Sequence, residues 1–366
     1  MKSLRIGLVR RGYSSTGGAE NYLKRFASAL VGAGHQCVLF SSPQWPAADW
    51  DHPKIQAVAG ATPREFADSL RKLQPKHACD YLFSLERVWN CDCFRAGDGV
   101  HRSWLERRSR YEPPWKSFFR KFNRKHRELL EIEGQLLTPQ GPGAIIANSQ
   151  LVKTEILQYS SFPADRIHVI YNGLPSQLLG ENQRALREQA RAELNLSEAD
   201  YAVLFAGSGW ERKGLKFAIQ GFIRANLPNS VLLIAGRGNP KRVPAAGRTD
   251  SIRFLGPVNG LKRVLAAADS FILPTLYDPF SNACLEALAM GLPVITTAAN
   301  GMSEIIRDGI DGEVLHEPSD ESAVAQAIAN WSDKEKRDGA RPRLIELGRK
   351  FSIESNLEQT LKIIRP

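Results

Sequence analysis

The chain has 366 residues, 43% of them hydrophobic and 24% charged, and a formal net charge of +10; that length exceeds one ordinary core, so two globular domains are expected, and a disordered or fibrous chain is excluded. No run reaches the ~18 apolar residues of a membrane span, no signal peptide is expected because Lys2-Ser3-Leu4-Arg5 runs straight into a strand, and the five scattered cysteines read as reduced thiols in a cytosol rather than as zinc ligands. The positive charge points to nucleic acid, an anionic membrane surface or a phosphorylated substrate.

Leu4 to Val9 is a continuous apolar run, as in a parallel strand buried on both faces. A loop of small residues, Arg10 to Gly18, leads into a helix with Tyr22, Leu23, Phe26, Ala27 and Leu30 on one face, and Gln36 to Ser41 is the next strand. This is a mononucleotide-fold opening without the full G-x-G-x-x-G fingerprint, and Gly17-Gly18 alone is at least as much a plain turn. Asp49-Trp50-Asp51 is formally a D-x-D metal motif, but Pro46 and Pro53 flank it in a loop, so no metal is expected there. Cys79 to Leu85 reads as a strand, and Phe94 to Gly99 as a strand ending in a tight turn. Asp98 and His101 then lie near a strand's carboxyl end, where either can bind an acceptor hydroxyl or take its proton. A turn aspartate and a capping histidine are the plainer readings.

His101 to Arg127 carries ten Lys or Arg against two Glu, with Trp104, Tyr111, Trp115, Phe118, Phe119 and Phe122 interleaved. Pro113-Pro114 predicts a break into two helices. The segment suits a solvated helix pair, an anionic lipid surface or nucleic acid, although no nucleic-acid motif accompanies it. Tyr171 to Pro175 reads as a hinge. The second half restarts the alternation with a strand over Val203 to Ala206, the glycine-rich loop Gly207 to Gly214, and a helix from about Leu215. Arg212 and Lys213 in that loop suit a diphosphate, or are a solvated basic turn. Val231 to Ala235 and Ile252 to Leu255 are further strands.

Ser270 to Thr297 is the most organised stretch. Phe271 to Leu273 is a buried strand, Pro274 and Pro279 keep the next loop out of helix, and Ser281 or Asn282 caps a helix that Gly291 and Pro293 end. Val294 to Thr297 is the following strand. The right-handed crossover of such a unit puts its loop at the carboxyl edge of the sheet, where α/β proteins bind ligands. Asp278 in the loop and Glu286 one turn into the helix are carboxylates suited to ribose and sugar hydroxyls, and the helix start suits phosphate. An ordinary β-α-β unit explains the same residues equally well. Phe351 to Ile364 is the last helix.

Asp278 and Glu286, with seven residues between them and followed by Ala287-Leu288-Ala289-Met290-Gly291-Leu292-Pro293-Val294-Ile295, resemble the signature of family 4 retaining glycosyltransferases, with Asp in place of Glu at the first acid. The resemblance implies an α/β GT-B fold: two Rossmann-like domains facing a central cleft. An acceptor-binding domain would span 1–172, a nucleotide-sugar domain 173–350, and a final helix crossing back 351–366. It implies that Glu286 holds the nucleotide ribose, and that Arg212 and Lys213 neutralise the leaving diphosphate in lieu of a metal. Further donor contacts are implied for Gly17, Gly18 and Glu20, for Gly207, for Asp278, Phe280, Ser281 and Asn282, and for the backbone N–H groups of Gly301 and Met302. Asp98, Arg212, Lys213 and Asp278 would be catalytic, with Asp98 and His101 on the acceptor side.

The segment around Asp98 resembles the acceptor-side loop of lipopolysaccharide core glucosyltransferases. That implies metal-independent transfer of a hexose, glucose from UDP-glucose, to a heptose of a lipopolysaccharide-core-type glycolipid, with no cofactor beyond the donor. It also implies a cytoplasmic enzyme, peripheral on the inner face of the membrane through residues 101–127, with no nucleic-acid partner. A nucleotide-sugar epimerase or hydrolase on the same fold, and a non-enzymatic nucleic-acid binder, are the alternatives.

Overall fold

The computed structural model describes residues 3–13, 18–52, 54–120, 122–175, 183–243 and 250–364. It divides into two compact units, Met1–Gly173 with Ile353–Pro366, and Leu174–Ser352. The first unit is built on a seven-stranded sheet: β1 (Arg5–Val9), β2 (Gln36–Ser41), β3 (Ile55–Ala57), β4 (Tyr81–Ser84), β5 (Cys93–Ala96), β6 (Ala144–Ala147) and β7 (Ile167–Val169), in the spatial order β3-β2-β1-β4-β5-β6-β7. Every pairing is parallel, so each connection must cross over, and helices cover the faces. These are α1 (Gly18–Gly32), α2 (Pro63–Lys72), α3 (His101–Ser109), α4 (Pro114–Arg120), α5 (Arg124–Leu136) and α6 (Gln150–Tyr159).

The second unit repeats the plan with six parallel strands in the order β10-β9-β8-β11-β12-β13: β8 (Tyr201–Ala206), β9 (Ser230–Ala235), β10 (Ile252–Gly256), β11 (Ser270–Leu273), β12 (Val294–Thr297) and β13 (Gly312–Leu315). Its helices are α7 (Gln183–Glu193), α8 (Trp210–Lys213), α9 (Leu215–Ala225), α10 (Lys262–Ala267), α11 (Asn282–Ala289), α12 (Glu321–Asn330) and α13 (Lys334–Arg349). The last helix, α14 (Ile353–Ile363), packs in the first unit's core through Ile353 and Leu357. There the Tyr22 hydroxyl donates to Asn356 Oδ1 at 2.8 Å.

One expectation from the sequence is revised. The basic segment forms three helices rather than two, because Asn123 adds a second break: its side chain accepts from His126 N–H and caps α5. The D-x-D stretch is organised by its tryptophan. Trp50 is buried in the same core as Trp45, Phe26 and Leu39, so the stretch closes over that core through a 3₁₀ turn at Ala47–Asp49.

Candidate functional site

In the second unit, β8 ends in the Gly207 loop, and α8 and α9 meet at Gly214. That residue sits at φ +76°, and a Cβ there would overlap the Pro274 carbonyl. Glycine therefore lets the Arg212-Lys213 turn press directly against the loop leaving β11. Thr275 Oγ1 and Leu276 N–H both donate to the Arg212 carbonyl, at 2.8 and 2.9 Å, and the Arg212 guanidinium donates to the Tyr277 carbonyl at 2.8 Å. These bonds bring Lys213 into an ion pair with Asp278, and Arg212 to 3.9 Å from the same carboxylate. Asp278 and Lys213 are largely buried, whereas Arg212 is 35% exposed. Arg212 and Lys213 thus do not simply line a helix start; they close a short helical turn before it.

Asn300, fully buried, ties the rest of this edge together. Its Oδ1 accepts from Ser281 N–H at 3.2 Å and Met302 N–H at 3.1 Å, and its Nδ2 donates to Thr296 Oγ1 at 2.9 Å. Ser281 in turn caps α11, accepting from Cys284 N–H at 3.4 Å. This corrects one expectation: the backbone N–H groups of Gly301 and Met302 are already given to the Asp278 carbonyl, at 2.9 Å, and to Asn300. They hold the loop rather than present themselves to a phosphate: the Gly301 N–H belongs to the parallel bridge Asp278–Asn300, and the Met302 N–H to the Asn300 side chain. Phe280 and Met302 are buried and contribute packing. Asn282 and Glu286, half-buried on one face of α11, are the outward-facing polar groups of the set.

In the first unit, Gly17 lies outside the described residues and Gly18 opens α1. Glu20, in the first turn of α1, is buried. It accepts from the Arg10 guanidinium at 3.3 and 3.4 Å, and the same guanidinium donates to Asp98 at 2.8 Å. Burial works against the Arg10 charge, but Asp98, Glu86 and Glu20 together outweigh it and hold the group protonated well above its ordinary range. Arg10 and Glu86 carried no sequence motif; the one signal was a charged residue directly after a buried strand, at the edge that holds Gly18. Asp98 follows β5 in a turn completed by Gly99 at φ +69°, and its side chain is 47% exposed.

His101 is placed differently from Asp98. It is buried at the start of α3, and its Nε2 lies 3.0 Å from His126 Nδ1. Burial, then Arg87 and His126, push its pKa down to about 3, so the ring is neutral. Glu133 fixes this corner, accepting His101 N–H at 2.7 Å and Arg87 Nε at 2.8 Å. On α4 and just after it, Trp115, Phe118, Phe119 and Phe122 are between 56% and 65% exposed.

The family model described as Glycosyl transferases group 1 matches residues 200–334. An uncharacterized glycosyltransferase of Methanocaldococcus jannaschii is 28% identical over 203 residues, which is 52% of this chain and 52% of that protein, so the chain spans about half the length of that relative. The lipopolysaccharide glucosyltransferase WaaG of Escherichia coli is 22% identical over 86% of each chain. A crystal structure of WaaG, described as involved in lipopolysaccharide biosynthesis, superposes with a TM-score of 0.83 at 19% identity, covering 98% of this chain and 99% of that one. Alr3699/HepE of Anabaena, solved in complex with UDP-glucose, superposes with a TM-score of 0.74 at 17% identity, covering 98% and 99%. The two parallel-sheet units are those of the GT-B architecture.

Proposed function

We propose that this chain, whose residues 200–334 match the glycosyl transferases group 1 model and whose units have the GT-B fold, carries out retaining, metal-independent transfer of glucose from UDP-glucose to a heptose of a lipopolysaccharide-core-type glycolipid. The observation that carries the reading is the meeting of Arg212, Lys213 and Asp278 at the carboxyl edge of the second sheet. Two cations against one carboxylate leave a positive site suited to a departing diphosphate. Asp278, pinned by Ala299 and Gly301, positions Lys213 rather than acting on the sugar itself. Glu286 accepts hydrogen bonds from the ribose hydroxyls. Glu20 approaches the donor, and Asp98 orients the acceptor hydroxyl, whose proton passes to the departing phosphate oxygen. Similarity to the glucosyltransferase WaaG and to Alr3699/HepE, which was solved with UDP-glucose, supports this donor class.

The test is incubation with UDP-glucose, with and without a heptose-bearing core lipid, in the presence of EDTA. Transfer with retained anomeric configuration is expected. Consumption of donor without acceptor would favour an epimerase or hydrolase, and loss of activity in EDTA that manganese or magnesium restores would overturn metal independence.

The reading includes docking on the cytoplasmic face of an anionic membrane through residues 101–127. The exposed aromatics Trp115, Phe118, Phe119 and Phe122 supply apolar area at the headgroup boundary, and each nearby Lys or Arg gains about 1 kcal/mol at such a surface. Among the described residues no helix is long and apolar enough to cross a membrane. Arg120 is tied to Glu112, and Arg124 to Glu65 and Glu128, while Lys121 lies outside the described residues. Removal of the aromatics should therefore release the protein from anionic vesicles more fully than removal of these charges. Flotation with neutral and anionic vesicles over a salt series checks this, and equal flotation with both would sink it.

A further inference from the structure

The first unit holds a half-open cavity of about 650 Å³ that neither Asp98, Glu20 nor Arg10 lines. Its walls come from α3, α4 and α5 and from the end of α6. Arg102, Arg120 and Arg127 face it, together with His126 and the Tyr159 ring, and Leu105 and Leu130 supply apolar surface between them. The volume is that of a small-molecule site rather than a packing defect.

The carboxylates along this wall are already committed. Glu133 is neutralised by Arg87 at 2.8 Å and by the N–H groups of His101 and Arg102 at 2.7 and 3.2 Å. Glu106 accepts from the Tyr159 hydroxyl at 2.6 Å and from Arg102 at 3.3 Å. No hydrogen bond or ion pair to the Arg127 guanidinium is made among the described residues. Burial first, then the positive charges of Arg108, Arg120 and Lys125, hold the His126 imidazole below its ordinary pKa. An anion entering here meets a guanidinium with its donors uncommitted and no unpaired carboxylate to repel it.

The cavity also has a defined neighbour. Asp98, Gly99 and Val100 lead directly into α3, whose first residue, His101, contacts His126 on the cavity wall at 3.0 Å. Groups bound in the cavity therefore sit on the element that follows the exposed carboxylate Asp98. Sugar rings have apolar C–H faces and hydroxyl rims, which match leucine and tyrosine surfaces set among the hydroxyls of Ser117 and Ser160. We propose that this cavity binds an anionic saccharide group, a phosphate-bearing sugar of the acceptor, and so selects charged acceptors over neutral ones. The proposal rests on the transferase reading for its purpose, but not for the binding itself.

The test uses the full chain with UDP at saturation, so that the donor site is closed to other phosphates. A hexose 6-phosphate, the neutral hexose, inorganic phosphate and a short-chain phosphatidylglycerol are titrated by calorimetry. The hexose phosphate should bind at least tenfold more tightly than either the neutral hexose or phosphate alone. Arg102→Gln combined with Arg127→Gln should weaken it at least tenfold at unchanged UDP affinity, which also reports that the variant is folded, and Arg127→Lys alone should retain most of the binding. Equal binding by parent and double variant would overturn the site. So would phosphate alone binding as tightly as the sugar phosphate, or phosphatidylglycerol displacing it, the latter assigning the cavity to a lipid headgroup. If UDP itself fails to bind, the transferase reading falls while the hexose phosphate titration, run without UDP, still decides the cavity.

Discussion

The two units use the same parallel-sheet plan but build their functional edges differently. In the second, every member of the site lies at the carboxyl ends of adjacent strands and within two stretches, Gly207 to Gly214 and Pro274 to Met302. It is a closed lattice of backbone and side-chain bonds centred on Asp278 and Asn300. In the first, the charged groups come from the ends of β1, β4 and β5 and from α1, and one arginine joins them. Beside that cluster stand a neutral histidine pair, a cavity and a row of exposed aromatics. Under the proposed function, the contrast fits a donor whose nucleotide part demands one rigid geometry and an acceptor side that can vary.

The sharpest way to break this comparison is at Lys213. Its partner Asp278 is almost fully buried, so Lys213→Ala should lower turnover ~10³-fold through lost charge stabilisation. It should also destabilise the second unit by about 3 kcal/mol through the stranded carboxylate. Arg212→Ala, at a more exposed and more distant cation, should cost turnover with little change in stability. Steady-state kinetics beside chemical denaturation separates the two, and equal stability losses would show that the lattice is not centred on Asp278.

Next comes the edge proposed to meet the acceptor. Asp98→Asn should lower turnover ~10²-fold while UDP affinity stays within about twofold, since the substitution keeps the size of the side chain and removes only its charge. Parallel losses in UDP affinity and turnover would erase the division of labour between the units.

The third concerns the histidine pair. A histidine whose folded pKa lies below its unfolded value binds fewer protons when folded, so the unfolded state gains as pH falls. For His101, held near 3 against an ordinary 6.5, the contribution is fully present above pH 6.5 and is lost as pH drops toward 3, about 2 kcal/mol of it by pH 5. Hydrogen exchange in α3 and α5 should accelerate between pH 7 and pH 5 beyond its intrinsic change, and His101→Gln should flatten that dependence. An unchanged slope in the variant would remove the pair from the account.

The smallest effect is expected at Glu286. Loss of charge-assisted bonds to ribose should weaken UDP binding about tenfold in Glu286→Ala, with the α11 lattice intact. UDP bound as tightly as by the parent would leave the second unit's edge without its nucleotide anchor.

Much of this was legible in the amino-acid sequence, for local physical reasons. A strand buried on both faces must be continuously apolar, a helix must be capped and stopped, and Asp278, Ser281, Glu286 and Gly291 lie close enough in the chain for their spacing to state their geometry. The α/β alternation of both units follows from that, whereas the meeting of the basic turn with the Asp278 loop, 65 positions away, does not. Tertiary structure alone decided the rest, because it depends on partners distant in the chain. Arg10 reaches Asp98 across 88 positions and Glu133 reaches Arg87 across 46. Asn300 takes up the N–H of Met302, for which the family resemblance implied a ligand. His101 read as either an acceptor-side base or a capping histidine, and packing made it a buried neutral ring, since burial and a neighbouring arginine are properties of a place in the fold that no spacing in the chain reveals.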